Sequence, residues 1–458
     1  MCRIVQKKLK GEAKQMSKDI ANAVIPYTKE IPVDYKVTEY SMFISAYSPY
    51  EFTNWVDESM SWKTGCMIGD WSDLMKAELE GADVIPFMQS ISGIKANPYE
   101  IGQGKHIVCT NNRGKVVGEG IMLKLAEDKF RITGGPNFVY WTGHCLRAAA
   151  KWNVQFADRY DDLFIFQVQG PKSVDILEKV CGENLRDVKY MWFKEIEICG
   201  TKVAALRQGM SGNIGFELQG PSEKAVDIYN AILEAGEEFG GVTKVGNAAK
   251  GVNHVEACFP TGTWDYTPAV YDPDDELAQG YCKEIGPVAW FMMGALSRKP
   301  GGSCENGAMD AIFSPVELGW GYALTFDHEF PGCEVLKEEK ANPKRKICTL
   351  VWNDEDVMDV QASYFREGDL YKHFVMPRDY EIAPDKVLKD GQQAGISLSR
   401  AYSVYFRKMI SLCVLDVELC KPGTEVEVVW GYNNQPQKRI RATVAPAPIF
   451  DPDKKRAL

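Results

Sequence analysis

Hydrophobic and polar positions along the chain alternate between two periods, one typical of strands and one typical of helices. Residues 221–239 carry apolar side chains near helical spacing between Gly-Pro and Gly-Gly, which predicts an amphipathic helix. Residues 170–181 predict a shorter helix after the strand DLFIFQVQ, and residues 76–91 predict a third strand followed by a helix. We therefore expect an α+β fold in which strands and helices are mixed along the chain.

Two strands are expected before the long helix, in EIEICGTKVAALRQ (195–208) and NIGFELQG (213–220), joined by a glycine turn. The second strand carries one carboxylate, Glu217, between apolar neighbours. A carboxylate in this position either grips a bound ring or faces solvent from a half-buried strand. The pattern alone leaves both interpretations open.

From about residue 345 the pattern changes to short alternating strands, separated by turn signals such as Lys-Pro-Gly and Tyr-Asn-Asn. This pattern predicts an all-β, barrel-like C-terminal domain over residues 345–458, after a first region over residues 1–340. The segment ANPKRK is the expected linker between the two.

The charge and the apolar runs exclude several classes of protein. A formal net charge of −10 and a pI near 5.3 disfavour a nucleic-acid partner, since phosphate binding draws on clustered Lys and Arg. Charges interrupt the first 24 residues, which lack the apolar stretch of a signal peptide, and no window elsewhere approaches a membrane span. We expect a cytoplasmic protein with no membrane partner.

The thirteen cysteines are scattered from Cys2 to Cys420 without a CxxC pair, and the five histidines show no HExxH spacing. Scattered thiols in a reducing compartment are mostly small buried hydrophobic residues. The sequence therefore predicts neither a disulfide framework nor a metal site. Its glycine-rich stretches also do not match a dinucleotide fingerprint, because GMSGNIG runs straight into a strand.

Seven motifs, in order over about residues 50–450, resemble the aminomethyltransferase family, which includes the glycine-cleavage T-protein and its tetrahydrofolate-dependent demethylating relatives. They include WKTGCMIGDWSDLMKAELEGAD (62–83), NNRGKVVGEGIMLKL (111–125), FQVQGPKS (166–173), LRQGMSGNIGFELQGP (206–221) and ELGWGYALTFDHEFPGCEVL (317–336). Within that family the pattern is most similar to the O-demethylases of methoxylated aromatic acids, the vanillate demethylase type.

The resemblance implies a folate-binding fold of two interleaved α+β subdomains in residues 1–340, followed by the C-terminal barrel. It implies tetrahydrofolate as the cofactor, with Glu217 accepting hydrogen bonds from the amino group and the adjacent N–H of the pterin ring. Arg207, Asp70 and Gln103 are the further candidate cofactor-binding residues.

The candidate catalytic residues are Glu119, Asp73, Lys250 and His254. Glu119 follows a glycine at the position where the T-protein carries paired aspartates. The alternative interpretation is that Glu119 is an acid in a hairpin turn without a catalytic role. Lys250 and His254 fall where the demethylases carry a tyrosine thought to act as an acid. A structural histidine is the alternative for His254.

Trp264 and Tyr266, in an aromatic-rich insert around residues 262–316, are candidate substrate-binding residues together with Tyr47. Such side chains suit stacking on an aromatic ring, and a local hydrophobic cluster is the alternative. The implied reaction transfers a methyl group from a small-molecule donor, first of all a methoxylated aromatic, to N5 of tetrahydrofolate. The alternatives are an S- or N-methyl donor, aminomethyl transfer, and folate binding without catalysis. A homo-oligomer is left open.

Overall fold

The computed structural model describes residues 39–43, 46–286 and 302–449. Its strands, in chain order, are β1 (Tyr40–Phe43), β2 (Ala46–Pro49), β3 (Met67–Asp70), β4 (Met75–Glu80), β5 (Gly104–Thr110), β6 (Val116–Ala126), β7 (Lys129–Gly134), β8 (Gln155–Asp158), β9 (Leu163–Gln169), β10 (Phe193–Ile198), β11 (Thr201–Arg207), β12 (Gly215–Pro221), β13 (Thr243–Val245), β14 (Arg345–Trp352), β15 (Asp385–Lys389), β16 (Gln392–Ser403), β17 (Lys408–Asp416), β18 (Glu425–Trp430) and β19 (Lys438–Ala445). Its α-helices are α1 (Trp55–Thr64), α2 (Val84–Ile91), α3 (Pro136–Ala149), α4 (Ser173–Cys181), α5 (Ala225–Gly236), α6 (Asn247–Glu256), α7 (Glu276–Ile285), α8 (Cys333–Ala341) and α9 (Asp354–Ala362).

Two sheets are interleaved in the first part of the chain. The first has the strand order β10-β11-β12-β9-β3-β13 and the second has the order β5-β6-β7-β4-β8. The consecutive strands β3 and β4 belong to different sheets, and so do β8 and β9. The chain therefore crosses repeatedly between the two sheets, which confirms the α+β fold with interleaved subdomains.

The first sheet has one apolar face and one polar face. Helices α4 and α5 cover the apolar face, where Phe166, Phe216, Leu218 and Ile228 share one buried cluster. Side chains alternate between the two faces of a strand, so the intervening residues of β9 and β12 point the other way. This alternation gives the sheet a buried polar face opposite its helices.

Residues 195–208, predicted as one strand, form the hairpin of β10 and β11 instead. The turn residues Cys199 and Gly200 have φ values of 51° and 69°, and Ile198 pairs with Thr201 on either side of them. Two consecutive positive φ angles are typical of a two-residue hairpin turn, which glycine favours. The prediction of a single strand was therefore wrong at this turn.

The C-terminal part is a closed barrel with the strand order β14-β17-β16-β15-β18-β19. Its interior includes Leu350, Val387, Cys413, Val428 and Ile440, all buried. The barrel confirms that element of the predicted fold.

The all-β prediction was wrong for helix α9, which follows β14. The Asn353 side chain accepts a hydrogen bond of 3.1 Å from the backbone N–H of Asp356, and three acids occupy the first turn. Such a cap and such charges both stabilise the start of a helix.

Within the described ranges, no helix is both long enough and apolar enough to cross a membrane. The cysteines of this part of the chain carry free thiols. Residues 1–38 and the centre of the aromatic-rich insert, residues 287–301, lie outside the described residues.

Candidate functional site

Glu217 projects from β12 on the polar face of the first sheet and is only 3% exposed. Three glutamine amides donate to its carboxylate. Gln167 and Gln208 each donate to Oε2 at 2.6 Å, and Gln219 donates to Oε1 at 2.7 Å. The alternative of a solvent-facing residue on a half-buried strand is therefore wrong.

The three glutamine amides form a cage around the Glu217 carboxylate that leaves one acceptor position for a ligand with a hydrogen-bond donor. An ionised carboxylate has about four acceptor positions, and the three amides occupy three of them. Burial raises the pKa of Glu217 above its usual range, while the three amide bonds pull it down. A ring that presents an N–H group, such as a pterin, would supply one donor to the remaining position on Oε1. The residues present therefore fit the pterin end of a folate.

The end of β3 and the loop that follows it carry two further acids, Asp70 and Asp73, beside a buried lysine. The Lys250 ammonium, on α6, donates to the backbone oxygen of Asp70 at 2.5 Å and lies 4.7 Å from the centre of the Trp71 ring. Asp73 is buried, and its Oδ2 has no hydrogen-bond partner among the described residues. Burial raises the pKa of Asp73 and lowers that of Lys250, and the attraction between the two groups opposes both shifts.

Lys76 connects these acids to Glu217. It lies on β4, is fully buried and donates to the Ser72 carbonyl at 2.5 Å. Burial lowers the pKa of Lys76 to about 8, although Asp70 and Asp73 oppose the shift, and the lysine charge in turn lowers the pKa of Glu217. One interior charged cluster therefore lies between the two sheets and α6; it consists of Asp70, Asp73, Lys76, Glu217 and Lys250.

An aromatic wall borders this cluster. The His254 ring lies 6.4 Å from the Trp71 ring at an interplanar angle of 17°, and 5.9 Å from the Trp264 ring. Tyr266 is fully buried and packs against Trp320 at 5.8 Å. The structure thus brings the predicted residues His254 and Trp264 together around Trp71, one helical turn from Lys250.

Glu119 lies in the middle of β6, paired with Val108 of β5. Its Oε2 is 2.8 Å from Nε2 of His106, whose Nδ1 is 3.0 Å from the hydroxyl of Tyr322. The hairpin-turn alternative for Glu119 is therefore wrong. A charge on Glu119 also raises the pKa of buried Tyr266, after the larger effect of burial, so Glu119 faces the aromatic insert.

Two predicted residues, Arg207 and Gln103, are not brought into the cluster. Arg207 pairs with Phe216 in β11 and β12 and shares the helix-covered face, where its Nη1 donates to the Val188 carbonyl at 2.7 Å. The Gln103 side chain accepts from the backbone N–H of Glu100 within a local turn. Tyr47 lies in β2 opposite Met42. Their assigned roles stay predictions.

The sequence analysis missed the three glutamines, Lys76 and Trp71. A signal for Gln167 and Gln219 was present, since FQVQ and FELQ place polar residues at every second position of strands that are otherwise apolar. Such alternation predicts a polar face, but only the pairing of β9 with β12 shows which carboxylate the amides surround.

Comparison with known proteins identifies the family to which this chain belongs. A family model described as the GCVT N-terminal domain matches residues 15–275. The chain is 32% identical over 397 residues to the sesamin methylene transferase of a Sinomonas species, covering 83% of this chain and 85% of the relative. This chain belongs to the GCVT aminomethyltransferase family.

A second member of the family, the syringate O-demethylase of a Sphingobium species, is 30% identical over 423 residues, covering 87% of this chain and 89% of the relative. The fold matches that of the glycine cleavage system aminomethyltransferase T from Bartonella henselae, with a TM-score of 0.67. That likeness covers 92% of this chain and 96% of the other at 17% identity. The resemblance found in the motifs is confirmed, and the chain is a transferase of a family that uses tetrahydrofolate.

Proposed function

We propose that this enzyme demethylates a methoxylated aromatic compound and transfers the methyl group to N5 of tetrahydrofolate. The observation that carries the proposal is the interior charged cluster, in which a caged carboxylate and a buried aspartate–lysine pair lie beside an aromatic wall. The similarity to a syringate O-demethylase over most of both chains supports the aromatic ether as the donor.

Glu217 binds the cofactor in this account, because the three glutamine amides leave one acceptor position of its carboxylate for an N–H donor of the pterin ring. Asp73, with one buried oxygen that has no partner among the described residues, is the second acceptor. When bound, tetrahydrofolate supplies the N5 nucleophile that receives the methyl group. The three glutamines hold the Glu217 carboxylate in place before the cofactor arrives.

The leaving oxygen needs a proton or a positive charge, since phenoxide leaves poorly. Lys250 suits this task because burial lowers its pKa, which makes its ammonium a stronger acid than an exposed lysine. A positioned acid contributes about 10²- to 10⁴-fold to the rate. Alignment of the two reactants contributes up to roughly 7 to 11 kcal/mol.

The aromatic ring of the donor stacks in this account against Trp71 and Trp264, which border the cluster. Glu119, with His106, lies toward the buried Tyr266 and is the second candidate for moving a proton. Tyr266 and Tyr47 remain candidate contacts of the donor, and Arg207 and Gln103 remain candidate contacts of the cofactor outside the cage.

Methylene transfer is the second candidate function, because the relative at 32% identity is named a sesamin methylene transferase. A sulfonium or methylamine donor is the third alternative, since such a donor needs no acid at Lys250. Folate binding without catalysis is the last alternative.

The finer assignments of place and partner are part of the proposal. Free thiols among the described residues and a net charge of −10 support a cytoplasmic protein without a nucleic-acid partner. The proposal also includes the division into a folate-binding region over residues 1–340 and a barrel domain over residues 345–458. A homo-oligomer is one assembly that it allows.

The test is an anaerobic incubation of the purified protein with tetrahydrofolate and a panel of donors that includes syringate, sesamin, a sulfonium compound and an N-methyl amine. Mass spectrometry reads the methylated or methylenated folate and the product of the donor. The proposal expects 5-methyltetrahydrofolate from syringate together with its demethylated product. Methylated folate from the sulfonium or the amine alone would overturn the aromatic assignment. Folate binding without any product would favour the non-catalytic alternative.

A further inference from the structure

One ring nitrogen of His254 forms a hydrogen bond, and the other is buried without a hydrogen-bond partner among the described residues. Its Nδ1 lies 2.9 Å from the hydroxyl of Thr261. Its Nε2 is buried and has no hydrogen-bond partner among the described residues. A buried polar atom without a partner costs free energy, so its presence beside a proposed substrate site calls for a ligand group that pairs with it.

The hydrogen bonds around Thr261 favour the tautomer of His254 that carries its proton on Nδ1. A threonine hydroxyl has one proton, and here it donates to the Phe259 carbonyl at 3.3 Å. The hydroxyl oxygen is then the acceptor for the Nδ1–H of His254. Nε2 consequently carries a lone pair and presents an acceptor to the interior.

Charge and burial keep this ring neutral. Burial, together with the positive charges of Arg378 and Lys250, lowers the pKa of His254 to about 3. A neutral imidazole with a bare Nε2 accepts a hydrogen bond and does not act as an acid near neutral pH. This separates the task of His254 from that of Lys250, one turn earlier on α6.

The surroundings of Nε2 define what can reach it. The ring lies between Trp71 and Trp264, with Phe259 edge-on at 6.0 Å. The side chains that contact the His254 ring are thus aromatic, which favours an aromatic ring as the neighbour of Nε2. A donor carried by such a ring suits Nε2, and a phenolic hydroxyl has that chemistry.

We propose that Nε2 of His254 accepts a hydrogen bond from a free phenolic hydroxyl of the substrate and selects hydroxylated methoxyaromatics over fully methylated ones. This inference rests on the proposed function and adds the specificity-determining contact. A site that pairs a substrate hydroxyl with a buried group discriminates strongly against an analogue without that donor. We expect a preference of at least about tenfold in kcat/KM.

The test compares syringate with 3,4,5-trimethoxybenzoate, which differs by methylation of the hydroxyl. Formation of 5-methyltetrahydrofolate gives kcat and KM for each donor, and calorimetry without folate gives the affinity for each. His254→Phe keeps a ring and removes the acceptor, whereas His254→Gln keeps an acceptor oxygen. His373→Gln makes the second substitution at an exposed histidine and is the matched control.

We expect the unaltered enzyme to have a higher kcat/KM for syringate than for 3,4,5-trimethoxybenzoate. The ratio of these two values should fall toward one in His254→Phe, mainly because the KM for syringate rises. It should return in part in His254→Gln. A preference that persists in His254→Phe, or its absence in the unaltered enzyme, overturns the inference. If neither donor is demethylated but calorimetry shows a His254-dependent preference for syringate, the proposed function fails and the hydroxyl contact stands.

The tautomer is measured separately by ¹⁵N NMR of histidine-labelled protein, which distinguishes a protonated from a bare ring nitrogen. The chain has five histidines, so loss of one signal in His254→Gln identifies the residue. A protonated Nε2 contradicts the acceptor assignment, even if the protein binds both donors.

Discussion

Glu217 on β12 accepts a hydrogen bond of 2.6 Å from the amide of Gln167, the residue directly opposite it on β9. The cross-strand pair places a carboxylate where one face of a sheet is buried and polar. Two more amides complete the cage, so the carboxylate is fixed before any ligand arrives. A preorganised acceptor of this kind is what recognition of a donor-rich ring needs.

Glu217→Gln should weaken tetrahydrofolate binding by at least about tenfold, because hydrogen bonds to a charged group contribute about 1.5–3 kcal/mol each. The new amide also points a donor toward amides that already donate. Calorimetry of tetrahydrofolate binding measures the effect, and Glu223→Gln, an exposed change just after the same strand, is the control. An unchanged dissociation constant in Glu217→Gln would remove this residue from the cofactor site.

Lys250→Met should slow the single-turnover methyl transfer by at least about tenfold, because the substitution removes the proposed acid. Methionine keeps an unbranched side chain of similar length and has a helix propensity close to that of lysine. The matched control is Lys202→Met at the exposed hairpin of β10 and β11. If the rate with Lys250→Met stays within twofold of the control, Glu119→Gln becomes the next variant to measure.

Asp385 predicts a pH dependence of stability in the barrel. It is buried and accepts from the backbone N–H of Ser303 at 2.9 Å, and burial raises its pKa from 3.8 to about 7. The folded state therefore holds this proton more tightly than the unfolded state. The resulting stabilisation is complete below pH 4 and is lost as the pH rises through 7.

Asp385→Asn should remove that loss of stability at high pH, which is at most about 4 kcal/mol for a pKa shift of about three units. Thermal unfolding at pH 5 and pH 8 measures it, and the advantage of the variant over the unaltered protein should appear at pH 8. Asp187→Asn, at an exposed position, controls for the change of net charge. An equal effect of Asp385→Asn at both pH values contradicts the raised pKa.

The ion pair of Arg378 and Asp265 joins the aromatic-rich insert to the segment between α9 and the barrel strand β15. Its two side chains are fully buried and lie 2.9 Å apart, and Arg378 also donates to the Gly251 carbonyl of α6 at 3.1 Å. Arg378→Met should destabilise the protein by about 3–5 kcal/mol, because Asp265 is left as an unpaired buried charge. Chemical denaturation measures the loss.

The double variant Arg378→Met with Asp265→Leu is the sharper comparison for this ion pair. Removal of both charges should recover much of the stability lost in the single variant, since no buried charge is then unpaired. A double variant as unstable as Arg378→Met alone would show that packing of the arginine, and not its charge, is what matters.

Local features of the fold could be predicted from the sequence. The helices after each Gly-Pro and five barrel strands follow from periodicity and turn residues within one short window. The sixth barrel strand, β15, was missed because it has five residues and follows a stretch without regular structure. The positive φ angles of Cys199 and Gly200 form a hairpin turn, where the prediction had continued one strand.

The site could be predicted only in part, because its contacts join distant parts of the chain. Gln167 is 50 residues from Glu217, and Lys250 is 180 residues from Asp70. The motifs named Glu217, Asp73 and Lys250 one at a time through a family resemblance. Only the crossing of the chain between two sheets brings them into one cluster, and it leaves Arg207 on the far face.

The most direct test of the account follows the methyl group itself. Syringate labelled with ¹³C in its methoxyl carbons is incubated anaerobically with the enzyme and unlabelled tetrahydrofolate, and the folate is analysed by mass spectrometry. The account predicts that the label appears as 5-methyltetrahydrofolate in step with the demethylated phenol. Demethylated phenol without label in the folate, or no reaction while sulfonium and amine donors methylate it, would contradict the account.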